Sequence, residues 1–419
     1  MKKILLSILA IFLCGTLQAA HILIPMDDSQ ENHLKAYGIA YWILEKEVEA
    51  EWFLNYRGGS FLIPYLQDFE NELVIRDVSY EVISSAQVRE IKTMISHAES
   101  NMDIMKLEVA PKIAVYSPPN KQPWDDAVTL VLTYAEIPYD IVFDDEVLED
   151  DLPQYDWLHL HHEDFTGQYG KFYRAFRHQA WYKEQQKTYE ASAKKHGYDK
   201  VSQLKLGVAQ KIRDFCAGGG FLFAMCSATD TYDIALAAAG VDICHEVFDG
   251  DPPFSDAQER LDYSKTFAFH KFKLYQNPMV YEYSDIDQQY RERGLTEAND
   301  FFTLFKFSAK WDPIPTMLTQ NHKHVIKGFM GQTTAYKKRL VKPEVIIMGE
   351  NKSLNEARYI HGTYGKGTWT FYGGHDPEDY MHHVGEEPTD LNLHPNSPGY
   401  RLILNNILFP AAKKKKQKT

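Results

Sequence analysis

Cysteine is scarce in this 419-residue chain: there are 4, and Cys14 falls within the opening twenty residues. Cys216, Cys226 and Cys244 remain, an odd set, so a dense disulfide framework is excluded and at least one thiol stays outside any intramolecular bridge. A Cys216–Cys244 bridge is one reading, and three small buried hydrophobes is the other. Positive charge is also in short supply. Lys plus Arg number 45 against 58 for Asp plus Glu, a net charge of −13, which argues against broad affinity for phosphate backbones and so against nucleic acid. After the opening segment no apolar run reaches the roughly 18 residues that suggest a membrane span. Neither HExxH nor any comparable fixed metal-ligand spacing occurs.

What is present describes a chain able to bury a full core, with 44% hydrophobic and 25% charged residues. Aromatic residues make up 13%, which suits clefts lined by rings and a small polar ligand. Residues 1–20 have the layout of a secretory signal peptide. Lys2 and Lys3 precede the apolar run Ile4–Leu13, and small residues arrive at Ala19 and Ala20. Cleavage is expected near Ala20, giving a periplasmic or secreted protein without a membrane span, and losing Lys2 and Lys3 takes the charge from −13 to −15.

Residues 21–108 are expected to form a small N-terminal α/β unit. His21–Met26 and Glu51–Tyr56 read as strands, Glu31–Glu45 has helical spacing, Leu73–Ile83 is strand-like, and Ser85 can cap a helix to Ala98. Residues 109–411 show strands alternating with helices, the pattern of a mostly parallel sheet covered on both faces. Trp124, Asp125 and Asp126 read as the opening of a helix, with acids where its dipole favours them. Residues 412–419 form a basic tail, a solvated end.

Chemistry concentrates in Gly218–Gly240, GGGFLFAMCSATDTYDIALAAAG. A buried strand that stops at a cysteine, with a helix starting at once, places Cys226 on a sharp strand-to-helix turn. A helix N-terminus favours a thiolate, and the Ser227 backbone amide is placed to face a developing oxyanion. Small residues are needed on either side, and Ala224 and Ala228 supply them.

This segment resembles the nucleophile elbow of the class I glutamine amidotransferase-like superfamily. Tyr364–Glu378, YGKGTWTFYGGHDPE, is similar to that superfamily's late strand, which ends in the catalytic histidine. Tyr400–Leu408 resembles the last helix of trehalose-utilisation-type and related members. The resemblance implies a flavodoxin-like α/β fold, with Cys226 as nucleophile, His375 as base and Asp376 or Glu378 as the acid that orients it. The chain departs from the family where Ala224 and Ala228 stand for glycine, and where HLHHEDFTGQYG replaces a glycine-rich oxyanion loop. The block LKAYGIAYWILEKEVEAEWFLNYRGGSFLIP is similar to a group named asparagine synthetase B. That chemistry is not expected, because no cysteine stands at the mature start and Arg57–Phe61 lacks the acid of a pyrophosphate loop.

His159, His161, His162, Glu163 and Asp164 lie at the carboxyl end of a strand, where open α/β sheets bind ligands. His375, Asp376, Glu378, Asp379, His382, His383 and His394 follow the late strand. Together they form either a polar pocket rim, with His159, His161, Glu163 and Asp164 as lining, or a divalent metal site. No cofactor is favoured, since strand alternation sends His162 to the face opposite His159 and His161. The expected activity is an exported thiol-dependent hydrolase acting on an amide or related carbonyl of a small or envelope-derived molecule. A non-catalytic sugar or peptide binder and a metal-dependent hydrolase are the alternatives.

Overall fold

A computed structural model describes residues 20–119, 122–288 and 290–412. The expected signal segment up to Ala19 and the tail Lys413–Thr419 lie outside the described residues. Strands β1 (Ala20–Ile24), β2 (Ala50–Leu54), β3 (Ser60–Pro64), β4 (Glu81–Ser84) and β5 (Asp103–Leu107) form an antiparallel sheet in the order β4-β1-β3-β2-β5. Residues 73–83 are not one strand. The helix Gln67–Ile75 buries Phe69 and Leu73 and ends before β4, because Asp77, in the left-handed region at φ +57°, turns the chain.

The second sheet begins with β6 (Ile113–Tyr116), β7 (Asp140–Val142), β8 (Trp157–Leu160) and β9 (Phe221–Met225). It continues through β10 (Phe301–Leu304), β11 (Val325–Lys327), β12 (Tyr336–Lys337), β13 (Ile346–Asn351), β14 (Glu356–Tyr364) and β15 (Gly367–Tyr372). Its order is β11-β10-β13-β14-β15-β9-β8-β6-β7, with β12 beside β14. The pairs β7–β6, β6–β8, β8–β9 and β9–β15 are parallel. Numbered by their appearance in the chain, these five parallel strands run 2-1-3-4-5, the flavodoxin-like order, and the expected α/β class holds. An antiparallel extension from β14 outward was not expected.

Parallel strands covered on both faces read as continuous apolar runs, and β6 and β9 do. Ile113, Val115, Phe223 and Met225 enter one core with helices Ala127–Tyr134 and Pro398–Leu408. Ala114, Tyr116, Leu222 and Ala224 enter the other, with helices Val201–Gly218 and Ala228–Ala237. Ile22, Leu34, Tyr37 and Trp52 of the N-terminal unit belong to the first core, so residues 21–108 have their own sheet but share a core with the rest. Cys216, Cys226 and Cys244 are free, buried thiols. No Cys216–Cys244 bridge forms, and their sulfurs donate to the carbonyls of Thr368 and Thr166 respectively.

Candidate active site

Four parallel strands deliver the site from their carboxyl ends, beside the point where β6 and β8 diverge in chain order. Cys226 follows β9 directly and adopts φ +50°, a left-handed conformation that costs a non-glycine residue about 1–2 kcal/mol. Only Ser227 separates it from the helix Ala228–Ala237. The backbone is pinned there from both sides: the Cys226 amide donates to Gly374 O at 3.1 Å and the Ala228 amide to His161 O at 2.9 Å. Such strain persists only where surroundings over-determine it, and it sits at the expected sharp strand-to-helix turn. The Ser227 hydroxyl oxygen is buried without a hydrogen-bond partner.

His375 arrives from β15 by way of Gly374, whose φ of +110° turns the chain inward. Burial disfavours the imidazolium of His375, but hydrogen bonds and charge from Asp125 and Cys226 outweigh it and raise the group to about 10. Nε2 of His375 lies 3.5 Å from Asp125 Oδ1, the oxygen that also meets His382 Nε2 at 2.9 Å. Burial alone would raise Asp125, yet its pKa is lowered because His375 and His382 favour the carboxylate.

The acids expected to orient His375 are held elsewhere. Asp376 accepts from the Glu378 amide at 2.8 Å and the Thr389 hydroxyl at 2.7 Å, which ties down the loop after β15. Glu378 pairs with His394 at 3.2 Å. Asp125 takes their place beside the imidazole. It was read as a first-turn helix residue, but the helix begins at Ala127 with Asp126 as its cap, which frees Asp125 to face the site.

Of His159, His161, Glu163 and Asp164, expected to line the pocket, none does; the cavity is lined from this segment by His162, with His161 packed beside it. Asp164 accepts from the amides of Thr166, Gln168 and Gly170 and shapes its own loop. Glu163 points into the second core, accepting from Tyr189 at 3.2 Å, and burial raises it to about 7. His159 is fully buried between Phe223 O at 3.2 Å and Asp126 Oδ2 at 3.3 Å. His161 Nδ1 meets Asp126 Oδ1 at 3.2 Å. His162 does not turn away as strand alternation required: β8 ends at Leu160, and the ring centroid of His162 lies 4.6 Å from that of His161 and 5.7 Å from that of His375. Burial pushes His161 down to about 4 and His162 well below its usual value, despite the opposing pull of Asp126.

A cavity of about 390 Å³ opens over Cys226 and His375, walled by Trp124, Phe172, Phe176, Tyr281, Met330 and Met381. Trp124 packs on Phe172 at 5.3 Å and on Trp181 at 5.4 Å, giving one wall a continuous aromatic lining. The floor includes Gly331 and Gln332, and the Gln332 amide donates to Cys226 Sγ at 3.2 Å. That segment was not foreseen; MGQTT, a glycine followed by three polar residues, is its only local trace.

No protein-family model matches the chain, and no curated protein matches it. Among solved structures, two cytoplasmic proteins of Salmonella typhimurium align over 72% of this chain and 100% of their own, at 9% and 13% identity and TM-score 0.35 each. The GH42 β-galactosidase Gan42B aligns over 64% of this chain and 28% of its own, at 12% identity and TM-score 0.26.

Proposed function

We propose that this chain is a cysteine-dependent hydrolase of an amide or related carbonyl, with Cys226 as nucleophile, His375 as base and Asp125 as the acid that orients it. The observation that carries the reading is the strained Cys226 at φ +50°, lining one cavity with His375. His375, raised to about 10, holds the proton that the thiol gives up while the sulfur bonds to the carbonyl carbon. The Ser227 amide, at the head of a ten-residue helix, receives the developing oxyanion. When the tetrahedral adduct collapses, the carbon–nitrogen bond breaks and His375 gives its proton to the departing nitrogen. Water, deprotonated by His375, then cleaves the thioester and restores the thiol.

The aromatic wall favours a small substrate with an apolar or ring-bearing group next to the scissile bond, and an envelope-derived molecule fits an exported chain. Release near Ala20 is part of this proposal, and N-terminal sequencing of the envelope fraction tests it: retained Met1 refutes export. The catalytic reading is tested with iodoacetamide and a panel of aryl amides and esters. Cys226 should alkylate first, since burial pushes Cys216 up to about 12 and Cys244 well above its usual value. Cys226→Ala should abolish turnover while ligand binding persists. Turnover unchanged by Cys226→Ala would refute the hydrolase, and binding without any turnover would leave the sugar or peptide binder.

A further inference from the structure

The proposed thiol chemistry uses one ring of a cluster of three histidines at the edge of the cavity, two of which line it. Donor nitrogens of His161, His162 and His375 all lie within 4.8 Å of one another. Two of these rings carry buried nitrogens with no hydrogen-bond partner, Nδ1 and Nε2 of His161 and Nδ1 of His162. Buried polar atoms are rarely left unpaired, and three in one cluster point to a missing ligand. His161 itself is only 1% exposed, so bulk water does not serve it.

The groups behind the rings support the same reading. Asp126 Oδ1 lies 3.2 Å from His161 Nδ1, where its charge favours the proton on that nitrogen and the lone pair on Nε2. Asp126 is held in turn by the amides of Val128 and Thr129. Asp125 stands behind His375 at 3.5 Å. Carboxylates placed behind imidazoles orient metal-binding histidines, and these two also offset a double positive charge.

We infer that His161, His162 and His375 form a site for one zinc-class divalent cation, with a fourth coordination position open to the aromatic cavity. Three imidazoles select zinc or cobalt over magnesium or calcium, which prefer oxygen. Bonds of about 2.0–2.1 Å require nitrogens about 3.3 Å apart, which small ring rotations supply from the observed spacing. His162 and His375 both line the cavity, so the open position faces a ligand.

One consequence rests on the thiol reading, although the site does not. An imidazole with one nitrogen on a cation keeps its single proton on the other and has no lone pair left for the thiol proton. Metal-loaded protein is therefore inactive in thiol chemistry, and the ion is a reversible inhibitor of Cys226.

Titrating the chelator-stripped full chain with Co²⁺, followed by Zn²⁺ displacement, tests the site. Expected are one equivalent, a tetrahedral absorption band with nitrogen ligands, and at least tenfold weaker binding in His161→Ala. Cys226→Ala should bind Co²⁺ within twofold of the parent. If His161→Ala fails to fold, tenfold loss in His162→Asn carries the same conclusion. No saturable binding, or one equivalent that survives both substitutions, overturns the inference. Turnover of metal-free protein is measured separately: Cys226-dependent turnover without metal binding removes only this inference, and metal binding without such turnover removes only the thiol reading.

Discussion

The backbone amide of Gln332 donates a hydrogen bond to the sulfur of Cys226 at 3.2 Å, across 106 positions of sequence. The segment that supplies this donor also holds His375, whose amide donates to Met330 O at 2.8 Å. Cys226 and His375 therefore hang on one strip of backbone between them. Thr333 anchors it by donating to the buried Asp230 at 2.8 Å, and Asp287 accepts from the amides of Thr334 and Ala335.

Gly331 is the residue in that strip with least room. A Cβ there would sit 2.8 Å from His375 N and 2.9 Å from Gly374 C, both backbone atoms that cannot swing aside. Gly331→Ala should displace Gln332 and His375 together, slowing Cys226 alkylation and turnover by about 10²-fold, the scale expected for an ångström of misplacement. A variant with parental rates would show that the strip does not position the pair.

Much of this site was legible because its signals are local. The run FLFAM ending at Cys226 is a buried strand by composition, and Tyr364–Glu378 carries its hairpin glycine, strand and histidine in one stretch. Asp125 was hidden for the opposite reason. Two adjacent acids before an apolar run look like helix-dipole partners, and only one of them, Asp126, is the cap. His162 was misjudged because alternation was carried past Leu160, where β8 stops. The antiparallel β10–β13 pairing and the shared core depend on contacts between distant segments, which no local periodicity reports.

Asp125→Asn tests the orienting role. Losing the carboxylate removes one of the groups that raise His375 to about 10, so the imidazole should titrate closer to its usual 6.5. Turnover should fall by about 10²- to 10⁴-fold with little change in KM, as when an orienting aspartate is lost from a triad. Asp376→Asn should leave the His375 titration in place, because Asp376 is committed to Glu378 and Thr389. An unmoved His375 resonance in Asp125→Asn, followed by NMR, would return the orienting role to another group.

The φ of +50° at Cys226 predicts an unusual ranking of substitutions. Cys226→Ala keeps a Cβ in the left-handed region, whereas Cys226→Gly removes it. Glycine should therefore exceed alanine in stability by about 1 kcal/mol, against its usual entropic disadvantage. Chemical denaturation of both variants reads this directly. Alanine equal to or more stable than glycine would mean that the elbow is unstrained.

Glu163 makes a pH prediction whose sign follows from its burial. Its folded pKa is about 7 against an ordinary 4.5, so between those values the folded state holds a proton that the unfolded chain has lost. Stability contributed by this group is complete below about 4.5 and is lost as pH rises through 7. The slope is roughly 1.4 kcal/mol per pH unit inside the window. Glu163→Gln keeps a polar, neutral side chain beside Tyr189 and removes the titration. The variant's melting temperature relative to the parent should thus rise between pH 4.5 and pH 8, with the two closest in acid. A difference that is flat across that range would mean that Lys205, the largest influence opposing burial, keeps Glu163 ionised in the folded protein.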